Sequence, residues 1–430
     1  MELKTSEDSA MDVLAALGRA SQNPVMLHLL LADRCNHACE HCYQVQGLKG
    51  ELTREEVESV LREFRAGGGF VVTFSGGEAT LRDDLVPLLG YAHELGLATV
   101  LYTNGYTMTE GFAQAIADCH VWRVEISLYS HRAAEHDAVT RVPGSWQKTT
   151  QGVRWLRSKS VNVMLKFTPT AQSVATAGEL AALAKELDAY LFATEAITAG
   201  EAGRLEPTAA RRSPENALSA GFVAQSNEEA NPLGGKPCGA GRQLNIRSDG
   251  MVQPCAMLNL PMGYVGSTGT KLIDVRGSDI AGFFRDVTWA DFPGCRVCDL
   301  RAHCHRCFAS AAAEVGDMLA PYQGACELAV ARYRKASGSF GAVTTEEERG
   351  KMDPVANVGP YRLDSAGQLS STKVQHTAYD RALVDRYPWL RQSREVLGSS
   401  ACGSSAEDQA RGLIQLRRRK AKPAEGSVDP

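Results

Sequence analysis

Long apolar runs are missing from this 430-residue chain. The longest near its start, Met26–Ala32, falls far short of the roughly 20 residues needed to span a bilayer. The first residues include Glu2, Glu7 and Asp8 and lack the apolar core of a secretory signal. Neither export nor a membrane partner is expected, and a cytoplasmic location is. Excess positive charge is absent too. Lys and Arg number 46 against 50 Asp and Glu, a formal charge of −4, and no basic stripe runs through the body. Nucleic acid is therefore not expected as a partner. What the chain does have is cysteine, twelve in all. Where thiols stay reduced, these read as metal ligands before disulfides. All but Cys119 and Cys402 fall in two clusters.

The first cluster is Cys35, Cys39 and Cys42, spaced x3 and x2 just after the Met26–Ala32 run. Soft sulfur ligands select iron–sulfur clusters, zinc or Cu(I) over hard cations. Alone, the triplet leaves two readings open. It is half of a zinc site, or it ligates three irons of one cubane and leaves the fourth open to a substrate or cofactor.

Around it the hydrophobic pattern alternates. Strands are expected at Val25–Ala32, Phe70–Phe74, Ala98–Tyr102, Val121–Leu128, Val161–Thr168 and Tyr190–Ile197. Helices are expected at Leu52–Phe64, Leu85–Leu95, Glu110–Asp118, Ser145–Lys159 and Ala177–Leu187. Thr53 with Glu56 three residues on reads as a capping box for the first of them. Such alternation implies βαβ units and a parallel sheet, with polar motifs on the loops after the strands. Ser75-Gly76-Gly77-Glu78 follows the second strand; the glycines permit close backbone approach, and the Glu78 carboxylate suits a cationic amino group. Thr103-Asn104-Gly105 reads as a turn. Ser127 ends the fourth strand, and Arg141 follows in a loop; its alternative is a solvated surface arginine. Lys166 either faces the same mouth or serves structure.

The second cluster opens at Cys238 and continues with Cys255, then Cys295-x2-Cys298-x5-Cys304-x2-Cys307, and Cys326. Leu244–Arg247 and Met251–Gln253 flank Ser248-Asp249-Gly250, a hairpin signal. A zinc ribbon would use only the Cys295–Cys307 quartet and leave the other three unexplained. After Lys335 the chain turns polar, with a helix-like patch at Ala378–Leu390 that reads as part of a solvated tail or as a docking segment.

Taken together, these motifs resemble the radical S-adenosylmethionine (SAM) enzymes with a C-terminal SPASM domain. The resemblance implies an α/β fold, a partial (β/α)6 TIM-like barrel followed by a cysteine-rich SPASM domain. It places the barrel at 25–200 after an N-terminal extension (1–24), a linker at 201–236, the SPASM domain at 237–335 and a weakly ordered tail at 336–430. It implies three [4Fe–4S] clusters and SAM as cofactors. Cys35, Cys39 and Cys42 would hold the cluster that chelates SAM, and His41 would pack on the adenine. Gly76, Gly77 and Glu78 would receive the methionine amino group, and Ser127 and Arg141 the ribose and carboxylate. Ala79 stands where the family usually has Pro. Cys295, Cys298, Cys304 and Cys326 would bind an outer auxiliary cluster; Cys238, Cys255 and Cys307 an inner one with no evident fourth thiolate. The family more often has three residues between the last pair of cysteines than the two here, which bears on that partition. The implied chemistry is reductive cleavage of SAM to a 5′-deoxyadenosyl radical and hydrogen abstraction from a substrate. Within the family a ribosomally made peptide or a protein is the most frequent substrate, with or without a separate peptide-recognition protein. A flavodoxin or ferredoxin is the kind of electron donor implied. Two alternatives stay open: a tetrapyrrole-tailoring enzyme, and a non-catalytic iron–sulfur scaffold.

Overall fold

The structure, a computed structural model, describes residues 24–337, apart from 48–49, 174–175, 195–196, 202–203, 215, 217–232, 242, 267–269 and 293, together with 361–363, 369–371 and 381–390. A helix expected near Ala10–Arg19 lies outside these residues, as does nearly all of one expected at Pro214–Gln225.

Six β-strands alternate with helices through the first half. They are β1 (Met26–Ala32), α1 (Arg54–Ala66), β2 (Val71–Gly76), α2 (Leu85–Glu94), β3 (Ala98–Thr103), α3 (Glu110–Asp118) and β4 (Arg123–Ser127). There follow α4 (Ala133–Thr140), α5 (Ser145–Ser158), β5 (Val163–Phe167), α6 (Ala177–Glu186) and β6 (Tyr190–Ala193). Neighbouring strands from β1 to β6 pair in parallel, in chain order. The strands are short and apolar because both faces are covered, as parallel sheets require. Leu27, Leu29 and Leu31 of β1 pack outward with Val57, Leu61 and Phe64 of α1, and each is almost wholly buried. Burying a side chain of this size contributes about 1.5–3 kcal/mol. Thr53 caps α1 as expected: its hydroxyl accepts from the Glu56 N–H while the Glu56 carboxylate accepts from the Thr53 N–H. A second capping box, Thr176 with Glu179, starts α6.

The cysteine-rich half continues the same sheet. The expected hairpin forms as β7 (Leu244–Ile246) and β8 (Met251–Gln253), and β9 (Gly263–Tyr264) pairs beyond it. Its placement was not foreseen: β7 lies parallel against β1, with His28 opposite Asn245, so the sheet has nine strands in the order β6-β5-β4-β3-β2-β1-β7-β8-β9. An incomplete barrel leaves β1 with an unpaired edge, and β7 satisfies it. The helices α7 (Leu272–Arg276), α8 (Asp279–Asp286), α9 (Phe308–Val315) and α10 (Gln323–Ala336) follow.

A second apolar core gathers Phe283, Phe284, Phe292 and Phe308 with Leu258 and Met318. The patch near Ala378–Leu390 belongs to it, which differs from the solvated reading. In and after α11 (Arg381–Arg386), Leu383, Tyr387 and Leu390 are buried there, and the Tyr387 hydroxyl donates to Asp286 at 2.5 Å. Leu383 lies within α11, and Tyr387 and Leu390 follow it.

Candidate functional site

The three cysteines sit on the loop leaving β1, and three other segments hold that loop. The last carbonyls of α4, which have no intrahelical donor, accept from it: Ala38 N–H donates to Thr140 O (3.2 Å) and Glu40 N–H to Val139 O (3.1 Å). The end of β2 donates to it through Gly77 N–H to Ala32 O (2.8 Å) and Glu78 N–H to Arg34 O (2.9 Å). From the far side, Glu201 N–H donates to Tyr43 O (2.7 Å), and its carboxylate accepts from Val45 N–H (2.8 Å). Arg204 donates to the carbonyl of Gln44 at 3.1 Å. Neither α4 nor the Glu201–Arg204 clamp was legible in the sequence.

Cys35, Cys39 and Cys42 feel one another electrostatically, so their thiols share one neighbourhood. Burial pushes Cys35 up to about 11 and Cys39 up to about 12. Bare thiols here stay protonated at neutral pH, and a bound metal would have to displace those protons. Among the described residues no three Cys, His, Asp or Glu side chains converge closely enough for one metal ion.

The glycines at the end of β2 are there for a steric reason. Gly76 has φ +133, and a Cβ there would meet Ala32 O at 2.5 Å; one on Gly77 would meet Arg34 O at 2.4 Å. They let this turn lie directly on the cysteine loop. Glu78 is 2% exposed and heavily engaged. Its Oε1 accepts from Thr80 N–H (3.1 Å), Thr80 Oγ1 (2.7 Å) and Thr103 Oγ1 (2.7 Å), and its Oε2 from Asn104 N–H (2.7 Å). Burial raises the Glu78 carboxyl above its ordinary value, and the donors from Asn104, Thr103 and Thr80 oppose that rise. A carboxylate has about four acceptor sites, so little beyond one position on Oε2 stays open. Asn104 Nδ2 also donates to Asn36 Oδ1 at 2.7 Å. The Thr103-Asn104-Gly105 turn thus belongs to the site, a role the sequence reading did not give it.

From β4, Ser127 lies beside the Tyr129 phenol, which in turn lies beside Cys39. His41 lies edge-on to Tyr129 with ring centres 4.8 Å apart, its Nδ1 buried without a partner. Both ring nitrogens of His37 are likewise buried and unpartnered, and burial lowers His37 and His41 to about 4. Orphaned nitrogens beside three thiols are free to meet a bound polar group. Arg141 follows α4 in the left-handed conformation (φ 58), exposed, one residue past the Thr140 carbonyl that holds the cysteine loop. The nearby Asp137 is spent on the start of α5, accepting from Gly144 N–H, Ser145 Oγ and Trp146 N–H.

Inward-facing residues of paired strands line the barrel lumen behind these loops. Glu125, 4% exposed, accepts from Arg123 at 2.6 Å and Lys166 at 3.0 Å. Lys166 also lies 4.0 Å from the centre of the Tyr102 ring, and His28 packs against the same ring at 5.6 Å. Lys166 therefore faces the lumen and anchors an ion pair there, with two cations on one carboxylate.

The cysteine-rich half forms two thiol groups. Cys238, Cys255 and Cys307 are electrostatic neighbours, as are Cys304, Cys326, Cys295 and Cys298. The latter four line one cavity with Trp289, Leu300, Pro321 and Ala329. Burial pushes Cys238 up to about 12 and Cys255 up to about 11. Cys119, by contrast, donates to Val86 O at 3.5 Å, apart from both clusters.

The profile of the Radical SAM superfamily matches residues 29–187. The AdoMet-dependent heme synthase of Nitratidesulfovibrio vulgaris is 29% identical over 161 residues, which cover 37% of this chain and 44% of that protein. The chain thus matches less than half of that relative's length. The PqqA peptide cyclase of Gluconobacter oxydans is 26% identical over 300 residues, 64% of this chain and 83% of that protein. The crystal structure of Streptococcus suis SuiB bound to precursor peptide SuiA superposes with a TM-score of 0.53 at 15% identity, over 72% of this chain and 78% of that one. At that identity the likeness is one of fold. Among the described residues no helix is long and apolar enough to cross a membrane.

Proposed function

We propose that this chain, whose residues 29–187 form a radical SAM domain, is an enzyme that cleaves SAM reductively and abstracts hydrogen from a ribosomally made peptide. A radical SAM domain implies one [4Fe–4S] cluster and SAM. Bound together, they supply a 5′-deoxyadenosyl radical, the cofactor's share of the chemistry. The chain's own residues bind, orient and shield. Cys35, Cys39 and Cys42 would hold the cluster. The Gly76-Gly77-Glu78 turn, Ser127, His41 and Arg141 would hold SAM, the guanidinium of Arg141 suiting a carboxylate bidentately. Cys295, Cys298, Cys304 and Cys326 would hold one auxiliary cluster and Cys238, Cys255 and Cys307 another, within a SPASM domain at 237–335. A reducing donor such as flavodoxin or ferredoxin would supply electrons.

One observation carries the reading. A three-thiol loop is buttressed by a Gly-Gly-Glu turn on the adjacent parallel strand, and Glu78 ties in the next strand end through Asn104. Support for a peptide substrate comes from extent: the peptide cyclase matches over 83% of its length, whereas the heme synthase match covers 44% of that protein. The second reading, a tetrapyrrole substrate, draws on the heme synthase identity and on the lumen cations Lys166 and Arg123, which suit propionates.

The test is anaerobic turnover with dithionite, counting 5′-deoxyadenosine. The protein should contain about twelve irons and cleave SAM, and joint replacement of Cys35, Cys39 and Cys42 by Ala should leave about eight irons and no cleavage. Stoichiometric zinc, or cleavage by the triple variant, would overturn the assignment. Mass analysis of candidate peptides and of a coproporphyrin after turnover separates the two substrate classes.

A further inference from the structure

Arg306, in the cysteine-rich half, carries a charge that no carboxylate among the described residues answers. It is 3% exposed and stands between Cys304 and Cys307 in the chain. Its Nη2 donates to the carbonyls of Met318 and Ala320, both at 2.6 Å. The guanidinium lies 4.4 Å from the centre of the Phe292 ring and 5.7 Å from that of Phe308. Its Nε and Nη1 are buried with no hydrogen-bond partner, and among the described residues it pairs with no carboxylate. Two rings and two carbonyls hold the group in place without neutralising it. A buried, uncompensated cation is strongly unfavourable, so such a group implies an anion at hand. The groups on which Arg306 acts electrostatically are Cys238 of one thiol set and Cys295 and Cys304 of the other, with Tyr322 beside them.

We propose that Arg306 is a positioning residue shared by the two thiol sets, the fixed counter-charge that raises the reduction potential of the metal–thiolate groups they hold. The inference rests on the auxiliary-cluster assignment above. A [4Fe–4S] centre with four thiolates carries two negative charges when oxidised and three when reduced, and one with three thiolates carries one and two. One electron enters from the reductant, no bond is made or broken, and no proton moves. A permanent positive charge in a site of low dielectric therefore favours the reduced form.

The experiment uses the full chain with Cys35, Cys39 and Cys42 replaced by Ala, so that only auxiliary centres contribute. It is loaded anaerobically and titrated with dithionite and mediators while the reduced-cluster spectrum is recorded by electron paramagnetic resonance. Arg306→Met, apolar and of similar reach, should lower the reduced-to-oxidised ratio at the parent's midpoint at least about tenfold, equivalent to about 59 mV for one electron. Arg306→Lys, which keeps the charge, should recover most of that ratio. Loss of iron in Arg306→Met but not in Arg306→Lys also supports the proposal, because charge alone separates them. Equal potentials in all three proteins with iron retained, or loss of iron in both variants, would reduce Arg306 to a packing role. A parent protein that binds no iron defeats the cluster assignment itself, and the inference falls with it.

Discussion

Glu78→Ala separates a residue that builds the site from one that only touches a ligand. Two backbone donors depend on its carboxylate: Asn104 N–H, held at 2.7 Å, and Thr80 N–H, held at 3.1 Å. The hydroxyl hydrogens of Thr80 and Thr103 can rotate, and Thr80 Oγ1 already has a neighbour in Thr107 Oγ1 at 2.6 Å. A buried donor left without an acceptor costs about 1–3 kcal/mol, so truncation should destabilise the fold by about 2–6 kcal/mol. Relief from burying a carboxylate offsets part of this, which places the expectation in the lower half of the range. The assay is urea unfolding of the metal-free, SAM-free protein, where no ligand contact can contribute. Glu78→Gln should fall between parent and Ala, because one oxygen remains to accept. SAM affinity should drop in the loaded Ala variant as well. A metal-free Ala variant within about 0.5 kcal/mol of the parent would refute the structural role and leave Glu78 as a ligand contact alone.

Further outcomes follow from other parts of the molecule. Arg141→Ala should weaken SAM binding roughly tenfold to a hundredfold, the loss of a charge-assisted contact of about 1.5–3 kcal/mol, with iron content unchanged; equilibrium dialysis measures it. His28 is lowered by burial, and by Lys166 beside it, to about 4, so it folds neutral. Its contribution is complete above the unfolded value near 6.5 and is lost as pH falls from there to about 4. His28→Gln should therefore flatten the acid limb of metal-free stability by about 3 kcal/mol at most, read from unfolding midpoints across that window. Ending the chain at residue 375 removes Leu383, Tyr387 and Leu390 from the second core; at about 2 kcal/mol per side chain, less the chain entropy released, it should cost several kcal/mol and expose a dye-binding apolar surface.

The alternation of strands and helices was legible because each element is amphipathic or wholly apolar at its own period, and Thr53 with Glu56 announced α1. Elements that answer to distant partners were not. α4 has polar and apolar residues without a clear stripe, and its start has no side-chain cap; Asp137 inside it serves α5 instead. β7 is three residues long, and only the open edge of β1 explains where it goes. The two clusters of cysteines could be read from spacing, but not the Glu201–Arg204 clamp, which lies more than 150 residues from the loop it closes. Thr103-Asn104-Gly105 looked like any turn because its meaning comes from Glu78, a contact across two strands.

The shared sheet gives the two cysteine regions a common ruler. The first thiol loop springs from the end of β1, and Cys238 and Cys255 flank the β7–β8 hairpin that pairs beside it. Both are thus counted off from one ladder of backbone hydrogen bonds, with Leu27 opposite Leu244 and Leu29 opposite Ile246. A slip of one residue in that ladder would turn His28 and Asn245 from the lumen to the helix layer and displace every thiol behind them. Small slides are forbidden by the pleat, so the separation of the two regions is quantised. The ladder thus fixes where the two cysteine-bearing segments leave the sheet, whatever the loops beyond it do.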